Sequence, residues 1–153
     1  MDQTRRQFIR TCCALGAVGA ASWLGIGCSK SGNSNPSNPQ SGPPFSVDGQ
    51  GRVVVNLSDV PALQQDNQAV AFFGTPLGHP LIVTHMTGDS YFALDSTCTH
   101  QSCTVDATSP EISCPCHGSL YNLNGTVARG PARASLPHYT LTKANNTLTI
   151  ALH

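Results

Sequence analysis

Charge is what this chain has least of: charged residues make up 10%, and 8 lysines and arginines balance 8 aspartates and glutamates. With no basic excess there is no electrostatic footprint for a phosphate backbone, so no nucleic acid is expected among its partners. Long amphipathic helices are missing and no internal repeat is evident, so neither a helical bundle nor a solenoid is expected. At 153 residues the chain also lacks the length for a second folded domain beside one with a modest core. What is plentiful is glycine (14) and proline (11), together with short runs of Val, Thr, Tyr and Phe. That combination reads as an all-β, loop-rich protein.

The N-terminus, "TRRQFIR" (Thr4 to Arg10), precedes a Gly/Ala-rich run from Thr11 to Gly27 that carries no charge. This is the layout of an export signal. Arg5 and Arg6 followed by Phe8 and Ile9 resemble the twin-arginine signal, which exports proteins already folded around a cofactor. The apolar run is also close to the lower length for spanning a bilayer, so retention as an anchor is the alternative. Cys28 ends the run, and residues 29–44 are mostly Ser, Asn, Gly, Pro and Gln, the composition of a solvated tether. A cysteine at that junction resembles a bacterial lipoprotein site, although Gly25 stands where an aliphatic residue is usual. Lipidation of Cys28 and an incidental thiol in an uncleaved anchor both fit. Cys12 and Cys13 lie inside the signal and read as small apolar residues. The chain thus divides into a signal or anchor (1–28), a tether (29–44) and a folded domain (45–153).

Within that domain, "RVVVNL" (Arg52 to Leu57), "AVAFF" (Ala69 to Phe73), "LIVTHM" (Leu81 to Met86) and "SYFALD" (Ser90 to Asp95) predict four strands. "LSDVPAL" (Leu57 to Leu63) has room for a short helical turn. Further on, "TVA" (Thr126 to Ala128), "HYTLTK" (His138 to Lys143) and "TLTIAL" (Thr147 to Leu152) predict three more. Ala144 to Asn146 has the character of a hairpin turn, and the last two strands are expected to close a small sheet or barrel.

Between the two sets stand "CTHQSC" (98–103) and "CPCHGSLY" (114–121). Each sits among turn-forming residues, so two loops are expected to converge on one site. A structural Cys2His2 zinc site has the right ligand types, but its usual spacing pairs the cysteines and pairs the histidines, and it leaves Cys103 and Cys116 unexplained. A plant-type four-cysteine cluster needs a different spacing. A Rieske [2Fe-2S] centre takes two thiolates on one iron and two imidazoles on the other, with one Cys and one His from each loop.

The two boxes resemble those of Rieske proteins, in the disulfide-containing version found in cytochrome bc type complexes. The resemblance implies a small antiparallel β-sandwich or barrel with a two-loop subdomain that binds the cluster. It implies Cys98 and Cys114 as ligands of the buried iron and His100 and His117 as ligands of the outer one. It pairs Cys103 with Cys116 in a disulfide, which suits an exported domain and is worth ~3 kcal/mol by loop closure. Ser119 and Tyr121 occupy the places from which a serine and a tyrosine hydrogen-bond the cluster sulfurs in high-potential members. Such bonds favour the reduced state within a family range of roughly −150 to +300 mV. Gly130, Pro131 and Ala132 resemble the proline loop that covers the cluster, but Arg133 replaces its usual second proline. His79, His85, His138 and His153 match no box and read as strand or loop residues.

The resemblance further implies histidine ligands near the surface whose protons are linked to oxidation state, which suits a quinol donor. An oxygenase is not expected, because too little chain follows His117 for its catalytic domain. The leading expectation is a membrane-tethered, one-electron iron-sulfur component of a quinol-oxidising complex on the extracytoplasmic face, passing electrons to a c-type cytochrome or similar acceptor. The alternative is a stand-alone exported carrier, or the small Rieske subunit of a periplasmic oxidase such as arsenite oxidase.

Overall fold

The computed structural model describes residues 43–153. The signal or anchor, Cys28 and most of the tether lie outside them. Among the described residues no helix is long and apolar enough to cross a membrane.

Seven strands form one antiparallel sheet: β1 (Ser46–Val47), β2 (Val53–Asn56), β3 (Gln68–Phe72), β4 (Leu81–His85), β5 (Tyr91–Asp95), β10 (His138–Ala144) and β11 (Thr147–Ala151). Their order is β1-β2-β11-β10-β5-β4-β3, so the curled sheet is a half-barrel with β1 and β3 at its open edges. The C-terminal hairpin was expected to close the sheet. Instead it lies in the middle, with β11 pairing β2 and β10 pairing β5. Asn145, at φ 52°, makes its turn, a conformation asparagine tolerates well. The expected helical turn appears as two short 3-10 turns, Leu57–Asp59 and Pro61–Gln64.

β4 explains how the sheet carries a second layer. All five of its residues are buried, which happens only when both faces of a strand are covered. Leu81 and Val83 face one core with Val55, Phe72 and Leu148. Ile82 faces the other, with Leu94, Ile112 and Tyr121. The alternation continues on β5, where Ala93 belongs to the first core and Leu94 to the second.

The second core is the underside of a four-stranded antiparallel sheet formed by β6 (Asp106–Thr108), β7 (Glu111–Ser113), β8 (Leu120–Tyr121) and β9 (Val127–Arg129). Only β9 was expected from the sequence, one residue earlier. The Thr84 hydroxyl, buried in β4, donates to Leu123 O at 2.7 Å and ties the two layers together. Gly125 marks a close approach between them. At φ +81° a Cβ there would sit 3.0 Å from Leu94 Cδ2 and 3.1 Å from His138 Nε2, so glycine is required on both counts. Its carbonyl receives the Leu136 N–H at 2.9 Å, which anchors the chain leaving the loop around Pro131.

Candidate metal centre

The two boxes fold as one turn used twice. In the first, Cys98 N donates to Cys103 O and Ser102 N donates to Cys98 O, both at 2.8 Å. In the second, Cys114 N donates to Ser119 O at 2.8 Å and Gly118 N to Cys114 O at 3.0 Å. The donor and acceptor offsets are the same. So is the backbone at the fifth residue of each turn, left-handed at Ser102 (φ 56°) and at Gly118 (φ 74°). Each turn also closes on an antiparallel pair, Thr97 with Thr104 and Ser113 with Leu120. The sequence shows no internal repeat because this one is a repeat of hydrogen bonds, carried by different residues.

The turns bring the expected residues together. Cys103 and Cys116 form a disulfide across the two boxes, with Cα atoms 6.5 Å apart. Among the described residues, Cys98 and Cys114 are the cysteines left as thiols, and both are buried. Both belong to the second core. The rings of His100 and His117 stand edge to face with centroids 4.9 Å apart. The donors therefore sort into a thiol pair and an imidazole pair.

That sorting bears on what the site can hold. Among the described residues, no three His, Cys, Asp or Glu side chains converge to hold a single metal ion, which speaks against the mononuclear zinc arrangement. Two irons with unlike ligands ask for two separated pairs. His100 Nδ1 is buried and has no hydrogen-bond partner. A buried lone pair without a partner is costly, and an iron at that nitrogen would satisfy it. The residues present fit a [2Fe-2S] group.

Hydrogen bonds around the thiol pair favour charge on sulfur. The Tyr121 hydroxyl, fully buried, lies 3.3 Å from Cys98 Sγ. Thr99 N donates to the same hydroxyl at 3.1 Å, and Thr99 Oγ1 donates to Ala134 O at 2.6 Å. Burial pushes the Cys98 thiol up, but bonds from Tyr121, the His100 amide, Cys114 and the Gln101 amide outweigh it and hold the thiol below its ordinary value. Tyr121 is displaced upward, first by burial and then by its bond to Cys98. Ser119, also fully buried, accepts the Ala132 N–H at 3.0 Å. That leaves its own hydrogen as a donor. The bond also fastens the loop of Gly130, Pro131 and Ala132 to the second box, and the Thr99 to Ala134 bond fastens it to the first.

A family model for the Rieske [2Fe-2S] domain matches residues 50–140. The chain belongs to the Rieske [2Fe-2S] family. Over 58 residues this Rieske domain is 48% identical to the cytochrome b6-f complex iron-sulfur subunit of Prochlorococcus marinus, a match covering 37% of this chain and 33% of that one. Over 109 residues it is 31% identical to the carotenoid phi-ring synthase of Chlorobaculum tepidum, covering 68% of this chain and 16% of that protein. Among solved structures, a chain of a hyperthermophilic respiratory complex III is similar at a TM-score of 0.51 and 26% identity, over 66% of this chain and 74% of that one. The domain thus spans a third or less of the length of these curated relatives.

The remaining histidines stay outside the boxes. His85 is buried in β4, stacked on Tyr91, with ring nitrogens 2.8 Å from Gln65 O and 2.6 Å from Gly88 O. His138 opens β10 and His153 follows β11. His79 lies 3.5 Å from Asp95 Oδ2. Asp95 was missed as a site residue, yet it braces the first box by accepting Thr97 N at 2.7 Å and Tyr139 OH at 2.8 Å. Burial raises its carboxyl, and these bonds together with His79 bring it below the usual value. A lone aspartate at a strand end gives no signal of this in sequence.

Proposed function

We propose that the chain is an exported one-electron carrier of high potential, the iron-sulfur component of a quinol-oxidising complex, held at the extracytoplasmic face of a membrane by its N-terminal segment or by lipid on Cys28. Cys98 and Cys114 hold one iron, and His100 and His117 the other. When bound, the [2Fe-2S] group supplies reversible one-electron transfer. The chain's own residues set its environment. The disulfide and the paired turns hold the four donors at fixed positions before and after transfer. Exposed His117 provides the edge at which a quinol or another donor and a cytochrome acceptor meet the domain.

The observation that carries the reading is the Tyr121 hydroxyl beside Cys98 Sγ. A donor aimed at a ligand sulfur stabilises the extra negative charge of the reduced state and so raises the potential. Tyr121→Phe removes that donor and keeps the ring. Its midpoint is expected to fall by about 60–120 mV, the equivalent of a hydrogen bond to a charged group, with the visible spectrum of the cluster intact. An unchanged midpoint in a redox titration would remove the case for high potential. For export, replacing both Arg5 and Arg6 by lysine is expected to leave the chain in the cytoplasmic fraction of the cell.

A further inference from the structure

Basic side chains are few in the described domain, and they fall into two kinds. Arg52 pairs with Asp48 at 2.7 Å and Lys143 with Asp89 at 3.1 Å. Arg129 and Arg133, both exposed, meet no carboxylate among the described residues. These two are the ones beside the boxes. Arg129 donates from Nε and Nη2 to Gly118 O at 3.4 and 3.3 Å, one residue from His117. Arg133 stands between Ala132, bonded to Ser119 of the second box, and Ala134, bonded to Thr99 of the first. No Asp or Glu occurs in residues 98–103, 114–121 or 129–135. Asp106 and Glu111 belong to the β6–β7 hairpin beyond the turns. In residues 43–153 acidic residues outnumber basic ones, so a local positive patch here runs against the domain's own balance.

We infer that the rim of the two boxes is a docking face for an acidic patch on a redox partner protein, with Arg129 and Arg133 as its recognition groups. The inference rests on the electron-transfer reading above and adds the charge of the partner. A guanidinium already oriented by Gly118 O keeps other donors free for a carboxylate and loses little freedom on pairing. Unpaired charge close to the exit edge steers an oppositely charged surface onto that edge. Arg133 reaches solvent from the loop that spans both boxes, where a proline would present only an apolar ring. The transfer itself moves one electron from the reduced domain to the partner and makes or breaks no bond.

The test uses the full chain, reduced, mixed in a stopped-flow instrument with ferricyanide or with cationic tris(phenanthroline)cobalt(III). Each oxidant takes one electron and becomes ferrocyanide or the cobalt(II) complex. The chain's formal net charge is zero and the added electron makes the reduced protein negative, so overall charge favours the cationic oxidant and a preference for the anion reports the local patch. The expected result is a ferricyanide rate that falls with salt and a cobalt rate that rises. Arg133→Ala and Arg129→Gln should each reduce the preference for the anion by about threefold, and Arg133→Lys should retain it. Equal salt dependence in the native chain and the doubly substituted chain overturns the inference while leaving electron transfer standing. So does binding to phosphatidylglycerol vesicles without any preference between oxidants, which would assign the patch to a membrane surface. Should neither oxidant react, the electron-transfer reading fails. NMR shifts at residues 129–135 on adding a polyglutamate peptide then decide the face alone, shifts supporting it and their absence overturning it.

Discussion

The two cysteine boxes share a backbone and differ in nearly everything attached to it. Both turns close with the same pair of hydrogen bonds and a left-handed residue at the same place. In the first that residue is Ser102, in the second Gly118. The first box owes its support to side chains, with Asp95 bracing the strand before it and Tyr121 reaching its buried cysteine. The second is held by the loop that follows it, the Arg129 guanidinium donating to Gly118 O and the Ala132 amide donating to Ser119 Oγ. One turn geometry therefore accepts two means of support. It places a histidine two residues after the cysteine in one case and three in the other.

The largest effect expected on this pairing is loss of the covalent link. Cys103→Ala with Cys116→Ala should cost ~3 kcal/mol by loop closure. Hydrogen exchange should quicken at residues 98–121 and stay unchanged in β2 and β11; equal quickening in both would show that the turns are not a separable unit. A smaller effect belongs to the first box. Tyr139→Phe removes a donor to Asp95 and should cost about 1–2 kcal/mol at neutral pH. Because the Asp95 carboxyl is held below 3.8 in the folded state, its contribution is present above that value and lost as pH falls through the lowered one. Melting curves across this acid range should show the native domain losing more stability than the variant as pH falls, so that the difference between them narrows. Smaller still are the left-handed positions. Gly118→Ala meets nothing within 4 Å, so its cost is the backbone strain of about 1 kcal/mol. Ser102→Gly should gain about 0.5 kcal/mol, the relief of strain less the added freedom of the unfolded chain. Denaturant titration checks both, and signs other than these would mean the two turns are not equivalent.

Much of this was legible in the sequence, for physical reasons. The boxes are contiguous and chemically distinctive, so their cysteines and histidines announced themselves. β4 and β11 were legible because burial imposes apolar runs or alternation on them. The hairpin of β6 and β7 was not, since three-residue strands with exposed Asp106, Thr108 and Glu111 are too short to show a period. Strand order was not legible either. The central place of the C-terminal hairpin depends on the pairings Leu148 with Val55 and Tyr139 with Ala93, which join distant segments. Asp95 and Thr99 gain their roles only from partners 44 and 35 residues away.

Tyr121 has one hydroxyl hydrogen and two acceptors for it. Thr99 Oγ1 gives its own hydrogen to Ala134 O and is left 3.1 Å from the phenol oxygen, while Cys98 Sγ lies 3.3 Å away on another side. Of the two acceptors, a charged sulfur draws the hydrogen more strongly than a neutral hydroxyl. The spare acceptor is therefore no rival to the donor that faces Cys98, and in a site this buried the phenol stands where water would otherwise answer charge on that sulfur.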